Sequence, residues 1–146
     1  MPKKIFAIVL LVGMLVLFVA CSDDSRYGEE TDWDAVLEPT SLTVRTEYDE
    51  YLVDVDFIRL IWNNPTGEIL YIGTGEGRFV LEKLINNVWR YVDFEGSFTY
   101  GIDAVLANDS TWQEIPIAQN FIPTLSAGTY RIIKDGVISN TFTLTN

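Results

Sequence analysis

The chain contains no histidine and one cysteine in its 146 residues. Histidine is the commonest general base near neutral pH and the commonest metal ligand. Without it, neither a serine–histidine pair nor a histidine-bearing zinc site can be assembled. A lone cysteine closes no intramolecular disulfide, so the fold must rest on apolar packing. Cations are scarce as well: 10 Lys and Arg stand against 21 Asp and Glu, a formal net charge of −11. Coulomb repulsion of phosphate by so acidic a chain excludes nucleic acid as a partner. From Thr40 onward no stretch keeps a helical period, and there is no internal repeat or low-complexity run.

What is present begins with an address. Lys3 and Lys4 precede an unbroken apolar run, Ile5 to Ala20, which stops at Cys21 and the polar Ser22-Asp23-Asp24-Ser25. A positive start, an apolar centre and small residues before a boundary are the parts of a secretory signal. Leu17-Phe18-Val19-Ala20-Cys21 resembles the lipobox of bacterial lipoproteins, with Phe18 where Leu is commonest. That resemblance implies cleavage after Ala20, with Cys21 as the first mature residue carrying a diacylglyceryl group and often an N-acyl chain such as palmitate. Two or three acyl chains hold a protein firmly on a bilayer, whereas one binds marginally. The alternative is an uncleaved anchor with Cys21 as a free thiol. Loss of both leader lysines takes the formal charge from −11 to −13.

Three regions follow: a lipoprotein signal peptide over 1–20, a lipidated Cys21 with an acidic tether over 21–39, and a folded domain over 40–146. Residues 22–37 are rich in Asp and Glu and hold few apolar groups besides Tyr27, Trp33 and Val36. Such a stretch buries too little surface to offset its ordering entropy and is expected to be a mostly disordered spacer, unless Trp33 packs on the domain.

The domain reads as short alternating runs separated by turn signals roughly every 8–12 residues, the spacing of an all-β sandwich or barrel. Leu42, Val44 and Thr46 share one face of a first strand. A second run, Val53 to Asn63, places Ile58, Leu60 and Trp62 on one face. Asn63-Asn64-Pro65-Thr66-Gly67 ends it, and Ile69 to Gly73 forms a short third strand. Arg78 to Ile85 and Val88 to Asp93 pair across Asn86-Asn87, because Asn tolerates the left-handed region a two-residue hairpin turn requires. Residues 94–111 read as a long loop, and Trp112 to Ala118 as a strand kept to an edge by Pro116. Asp135-Gly136 turns the last hairpin, whose second arm, Val137 to Leu144, is expected to be interrupted at Ser139-Asn140 by a bulge or a longer loop.

Candidate sites each have a bland alternative. Trp62, Trp89 and Trp112 offer faces on which a sugar can stack, or they fill the core, which is the expectation adopted here. Asp54, Asp56 and Glu50 supply too few oxygens for Ca²⁺ and read as a solvated face, so no metal is expected. Glu95 and Asp103 have no spacing that argues for a glycosidase pair. Ser41, Ser97, Ser110, Ser126 and Ser139 lack a histidine, and Lys83 and Lys134 sit in no motif that makes a serine–lysine dyad. Gly73-Thr74-Gly75-Glu76-Gly77 lacks the Lys-Ser/Thr end and the helix of a phosphate loop. No catalytic residue and no cofactor is therefore expected, and Cys21 is the one assigned site.

Three segments carry a resemblance. They are Arg78-Phe79-Val80-Leu81-Glu82-Lys83-Leu84 with Val88-Trp89, the Phe121-to-Ile132 stretch with Gly128-Thr129-Tyr130-Arg131, and the strand end Ile58 to Asn64. Together they resemble the bacterial immunoglobulin-like domains found in exported proteins and lipoproteins, mainly of Gram-positive bacteria. Ala127 stands where that family usually has Pro, and Asn87 where Gly is commonest. The resemblance implies an immunoglobulin-like β-sandwich without catalytic residues. By physical reading, Gly128 permits a sharp turn into the strand, and Tyr130 can bury its ring while its hydroxyl reaches backbone. Asn64-Pro65-Thr66-Gly67 partly resembles the inhibitory loop of chagasin-like cysteine-peptidase inhibitors.

The expectation is an extracytoplasmic, non-enzymatic module. It would be held by the lipid on Cys21 to the outer face of a cell membrane, or to an outer membrane in a Gram-negative cell, and would contact a protein or envelope partner. The alternative is a peptidase inhibitor or ligand-binding lipoprotein using the 64–77 loops.

Overall fold

Alternation of apolar and polar residues dictates strands with one buried face, and two such faces must close on each other. The structure is a computed structural model that describes residues 27–31, 41–73, 79–95, 101–117 and 121–146. Its strands are β1 (Thr43–Thr46), β2 (Glu50–Leu52), β3 (Phe57–Asn64), β4 (Leu70–Gly73), β5 (Phe79–Ile85) and β6 (Val88–Phe94). They continue with β7 (Ile102–Val105), β8 (Asp109–Pro116), β9 (Phe121–Ile122), β10 (Gly128–Lys134), β11 (Val137–Ile138) and β12 (Phe142–Thr145).

One sheet runs β1-β3-β8 and a larger one runs β2-β12-β10-β5-β6-β9, with β11 pairing β10. A separate ribbon joins β4 to β7. The chain switches sheets between β1, antiparallel to β3, and β2, parallel to β12. The core between the layers takes Val44, Ile58, Leu60, Trp62 and Ile115 from the smaller sheet. It takes Leu81, Val92, Tyr130, Ile132, Phe142 and Leu144 from the larger. Ile58, Leu60 and Trp62 are fully buried on alternate positions of β3, and each buried side chain of this size contributes about 1.5–3 kcal/mol.

Both expected hairpins form. Asn86 and Asn87 take φ of 51° and 66°, and Asp135 and Gly136 take 50° and 76°. The expected break in the last arm also forms. Ser139 Oγ accepts the Ile132 amide at 2.9 Å and donates to the Asn140 carbonyl at 2.7 Å. β8 lies at the edge of its sheet, where Pro116 costs no ladder bond.

Three expectations change. Residues 53–56 form a turn, so the second run starts as a strand only at Phe57. The stretch read as a long loop over 94–111 contains β7 and the start of β8, while 96–100 lie outside the described residues. The stretch read as spacer is ordered over 27–31, against the β6 edge. Gly28 donates to the Tyr91 carbonyl at 2.9 Å and Thr31 to the Trp89 carbonyl at 3.1 Å. Tyr27 puts its ring into the core at 9% exposure. The remaining spacer residues, with Trp33 and Cys21, lie outside the described residues.

Candidate functional site

Register decides where charge goes. On β5 and β10, Tyr130 faces Lys83, Ile132 faces Leu81 and Lys134 faces Phe79. Lys83 and Lys134 therefore stand at inward positions among apolar neighbours. Lys83 Nζ donates to Ser126 Oγ at 2.6 Å and to the Tyr27 hydroxyl at 3.0 Å. It also lies 5.2 Å and 5.4 Å from the Tyr27 and Tyr130 ring centres. Tyr130 is fully buried and donates its hydroxyl to the Ser126 carbonyl at 2.7 Å, the corner anticipated above.

This is the one place where a serine meets a lysine within hydrogen-bonding distance among the described residues. Burial works against the Lys83 charge. The hydrogen bond to Tyr27 and the pull of the Tyr130 and Tyr27 oxygens outweigh it and raise the pKa above 10.5. A dyad base requires the opposite, a lysine that is neutral near pH 7. Lys83 is thus a donor that fixes Ser126, and nothing here activates the hydroxyl.

On the outward face of the same strands, Glu82 is fully buried and accepts Arg131 Nε at 2.5 Å. Thr31 Oγ1 donates to its second oxygen, and the Arg131 guanidinium stacks 4.3 Å from the Trp89 ring. The 27–31 segment, bridged to β6 at Glu30 and Arg90, therefore closes two polar clusters at once, one on each side of the sheet. Lys134 differs from Lys83. Burial lowers its pKa below 10.5, and Asp135, at 3.8 Å, offsets this only in part.

The tryptophans separate. Trp62 fills the core and donates Nε1 to Gln113 Oε1 at 3.1 Å, and Gln113 in turn donates to the Gly73 carbonyl at 2.6 Å. Trp112 is 58% exposed, against the expectation of core packing. Its position on β8 points away from the core, and the Arg59 guanidinium stacks 4.6 Å from its ring. Arg59 also bonds Glu114 at 3.0 Å and Glu47 at 3.2 Å. Trp89 is half-buried over Arg131 rather than in the core.

The other candidates stand apart. Glu50, Asp54, Asp56, Glu95 and Asp103 are all exposed, and among the described residues no group of three His, Cys, Asp or Glu is placed to hold a metal ion. Ser110 is exposed, and Ser139 is spent on the bulge. Thr74 to Gly77 and Ser97 lie outside the described residues. Asn64 is fully buried and pins its own loop. Its amide nitrogen donates to the Glu68, Val105 and Leu106 carbonyls, and its oxygen accepts the Thr66 amide at 3.0 Å.

A sheet-switching first strand, two packed sheets and a tyrosine corner define an immunoglobulin-type sandwich. The chain belongs to the bacterial Ig-like domain family, whose model matches residues 38–146. No curated protein matches the chain. The 27–31 segment precedes the matched region, and only the structure brings it into the domain. Sequence reasoning missed it because Tyr27 is its one apolar anchor.

Proposed function

We propose that this protein is a lipid-anchored extracytoplasmic binding module. Cys21 carries the lipid, and the Ig-like sandwich, without catalytic activity, makes contacts with a protein or envelope partner. One observation supports the binding role above others: the reactive side chains are turned inward to hold the fold, while large apolar ones are left on the surface. Lys83, Arg131 and Lys134 are buried, yet Tyr71, Ile102 and Trp112 are 70%, 75% and 58% exposed. Exposed apolar side chains in a cluster mark interaction surfaces. The leader and the Cys21 boundary support the anchor.

The test is photo-crosslinking in intact cells from two exposed positions, Tyr71 and Trp112. A binding module yields a discrete adduct from at least one position that survives washing of the membrane fraction. Absence of any adduct, with a substrate turned over in an activity screen, would overturn it.

A further inference from the structure

The β4–β7 ribbon breaks the rule that a sheet with one packed face shows polar residues on the other. Its packed face sets Leu70 against Val105, with Ile72 and Val105 2% and 0% exposed. The pairs Tyr71 with Ala104 and Gly73 with Ile102 fix the members of the opposite face. Tyr71 and Ile102 there are 70% and 75% exposed with Ala104 exposed beside them, and Ile69 and Leu106, next to the strand ends, are 50% and 53% exposed. No charged residue occupies this face within the ribbon.

Among the described residues, the exposed charge beside it has one sign. Glu68 and Asp109 flank the ribbon in the chain and are exposed, while Asp103, also exposed, lies within β7 across from Ile72 and off this face. The same bias covers the described surface. Of its described carboxylates Glu47 is half-buried, Glu82 is buried and the others are exposed, whereas Arg45 is its one exposed cation. Arg45 lies on β1, the edge of its sheet opposite β8. The fold has taken its other described cations inward or into ion pairs, so the exterior is more acidic than the net charge conveys.

We infer that the exposed face of the β4–β7 ribbon docks a cationic amphipathic protein segment, one with apolar side chains on one face and Lys or Arg beside them. The inference rests on the proposed binding role and names the partner's chemistry. Apolar side chains of the segment would cover Tyr71 and Ile102, and its cations would meet Glu68 and Asp109. A second copy of this chain would set acidic rim against acidic rim. A bilayer would ask for the Lys and Arg that hold lipid headgroups, which the ribbon lacks.

The test uses the full chain in phosphatidylcholine nanodiscs, with empty nanodiscs as reference. The probe is a short fluorescein-labelled peptide of alternating Leu and Lys, with a twin carrying Glu for Lys, read by fluorescence anisotropy. The Leu/Lys peptide is expected to bind above the empty-disc signal and the Leu/Glu twin not. Tyr71→Ser with Ile102→Ser should weaken binding about tenfold or more. Glu68→Gln with Asp109→Asn should flatten its salt dependence. Leu52→Ser, at a position 58% exposed on β2, should leave both unchanged. If the Tyr71 and Ile102 variant unfolds, Ile69→Ser with Leu106→Ser replaces it. Equal binding by the ribbon variant, equal binding by the acidic twin, or a signal matched by empty discs would overturn the inference. An in-cell adduct that persists in the ribbon variant would overturn it too, while leaving the binding role standing.

Discussion

Tyr27→Ala should unfold the domain more readily than any other single change in the 27–31 segment. Tyr27 is 9% exposed, and its hydroxyl accepts a bond from the buried Lys83 ammonium. Truncating a buried aromatic ring costs about 3–5 kcal/mol, and a position at a sheet edge, where neighbours can relax, belongs at the low end. Lys83 keeps Ser126 at 2.6 Å, so loss of one acceptor adds about 1 kcal/mol rather than the full cost of a stranded charge. The sum, about 4 kcal/mol, is a large share of the 5–15 kcal/mol that holds a typical domain together. Urea unfolding of the chain without its leader, followed by tryptophan fluorescence, gives the difference directly. Tyr27→Phe isolates the hydroxyl and should cost about 1 kcal/mol. A loss below about 0.5 kcal/mol for Tyr27→Ala, the range of a neutral surface change, would refute the docking of this segment and return residues 27–31 to the spacer.

The two inward lysines should respond oppositely. The Lys83 pKa is raised, so its stabilisation is complete below pH 10.5 and is lost as pH rises through the folded value; Lys83→Met should lower the urea midpoint at pH 7. The Lys134 pKa is lowered, so its charge weighs on the folded state at pH 7 and the burden lifts as pH climbs towards 10.5; Lys134→Met should hold or raise the midpoint at pH 7. Arg131→Met leaves Glu82 buried without its ion partner and should cost about 3–5 kcal/mol, and adding Glu82→Leu should recover most of that, measured as a double-mutant cycle. Gly128 has φ of +153°, and an added Cβ would lie 2.7 Å from Lys83 Cε, so Gly128→Ala should lower the thermal midpoint by the equivalent of about 1–3 kcal/mol.

The parts of the fold that were legible in the sequence share a local cause. Asn86-Asn87 and Asp135-Gly136 announce themselves because few residues tolerate the left-handed region, and Ile58, Leu60 and Trp62 because one face is wholly apolar. Tyr130 was legible from Gly128 and the strand that follows it. What escaped depends on partners distant in sequence. The β2 strand is short and is held only by parallel pairing to β12. The β7 strand shows no alternation because its outward residues are apolar. Lys83 and Lys134 look like surface positions until pairing with Tyr130 and Phe79 fixes them inward. Trp112 looks like core until register sets it across from Ile61 on the outward face. The 27–31 segment is composed like a spacer, and the β6 edge, the Lys83 ammonium and the Glu82 carboxylate give it a reason to stay.

The anchor is the claim on which localisation and the meaning of the exposed surface both turn. Intact-mass spectrometry of the protein extracted from bacterial membranes tests it in one measurement. The account predicts a chain that starts at Cys21 and carries the mass of a diacylglyceryl group, with or without an N-acyl chain. A chain that still starts at Met1 with an unmodified Cys21 would contradict it.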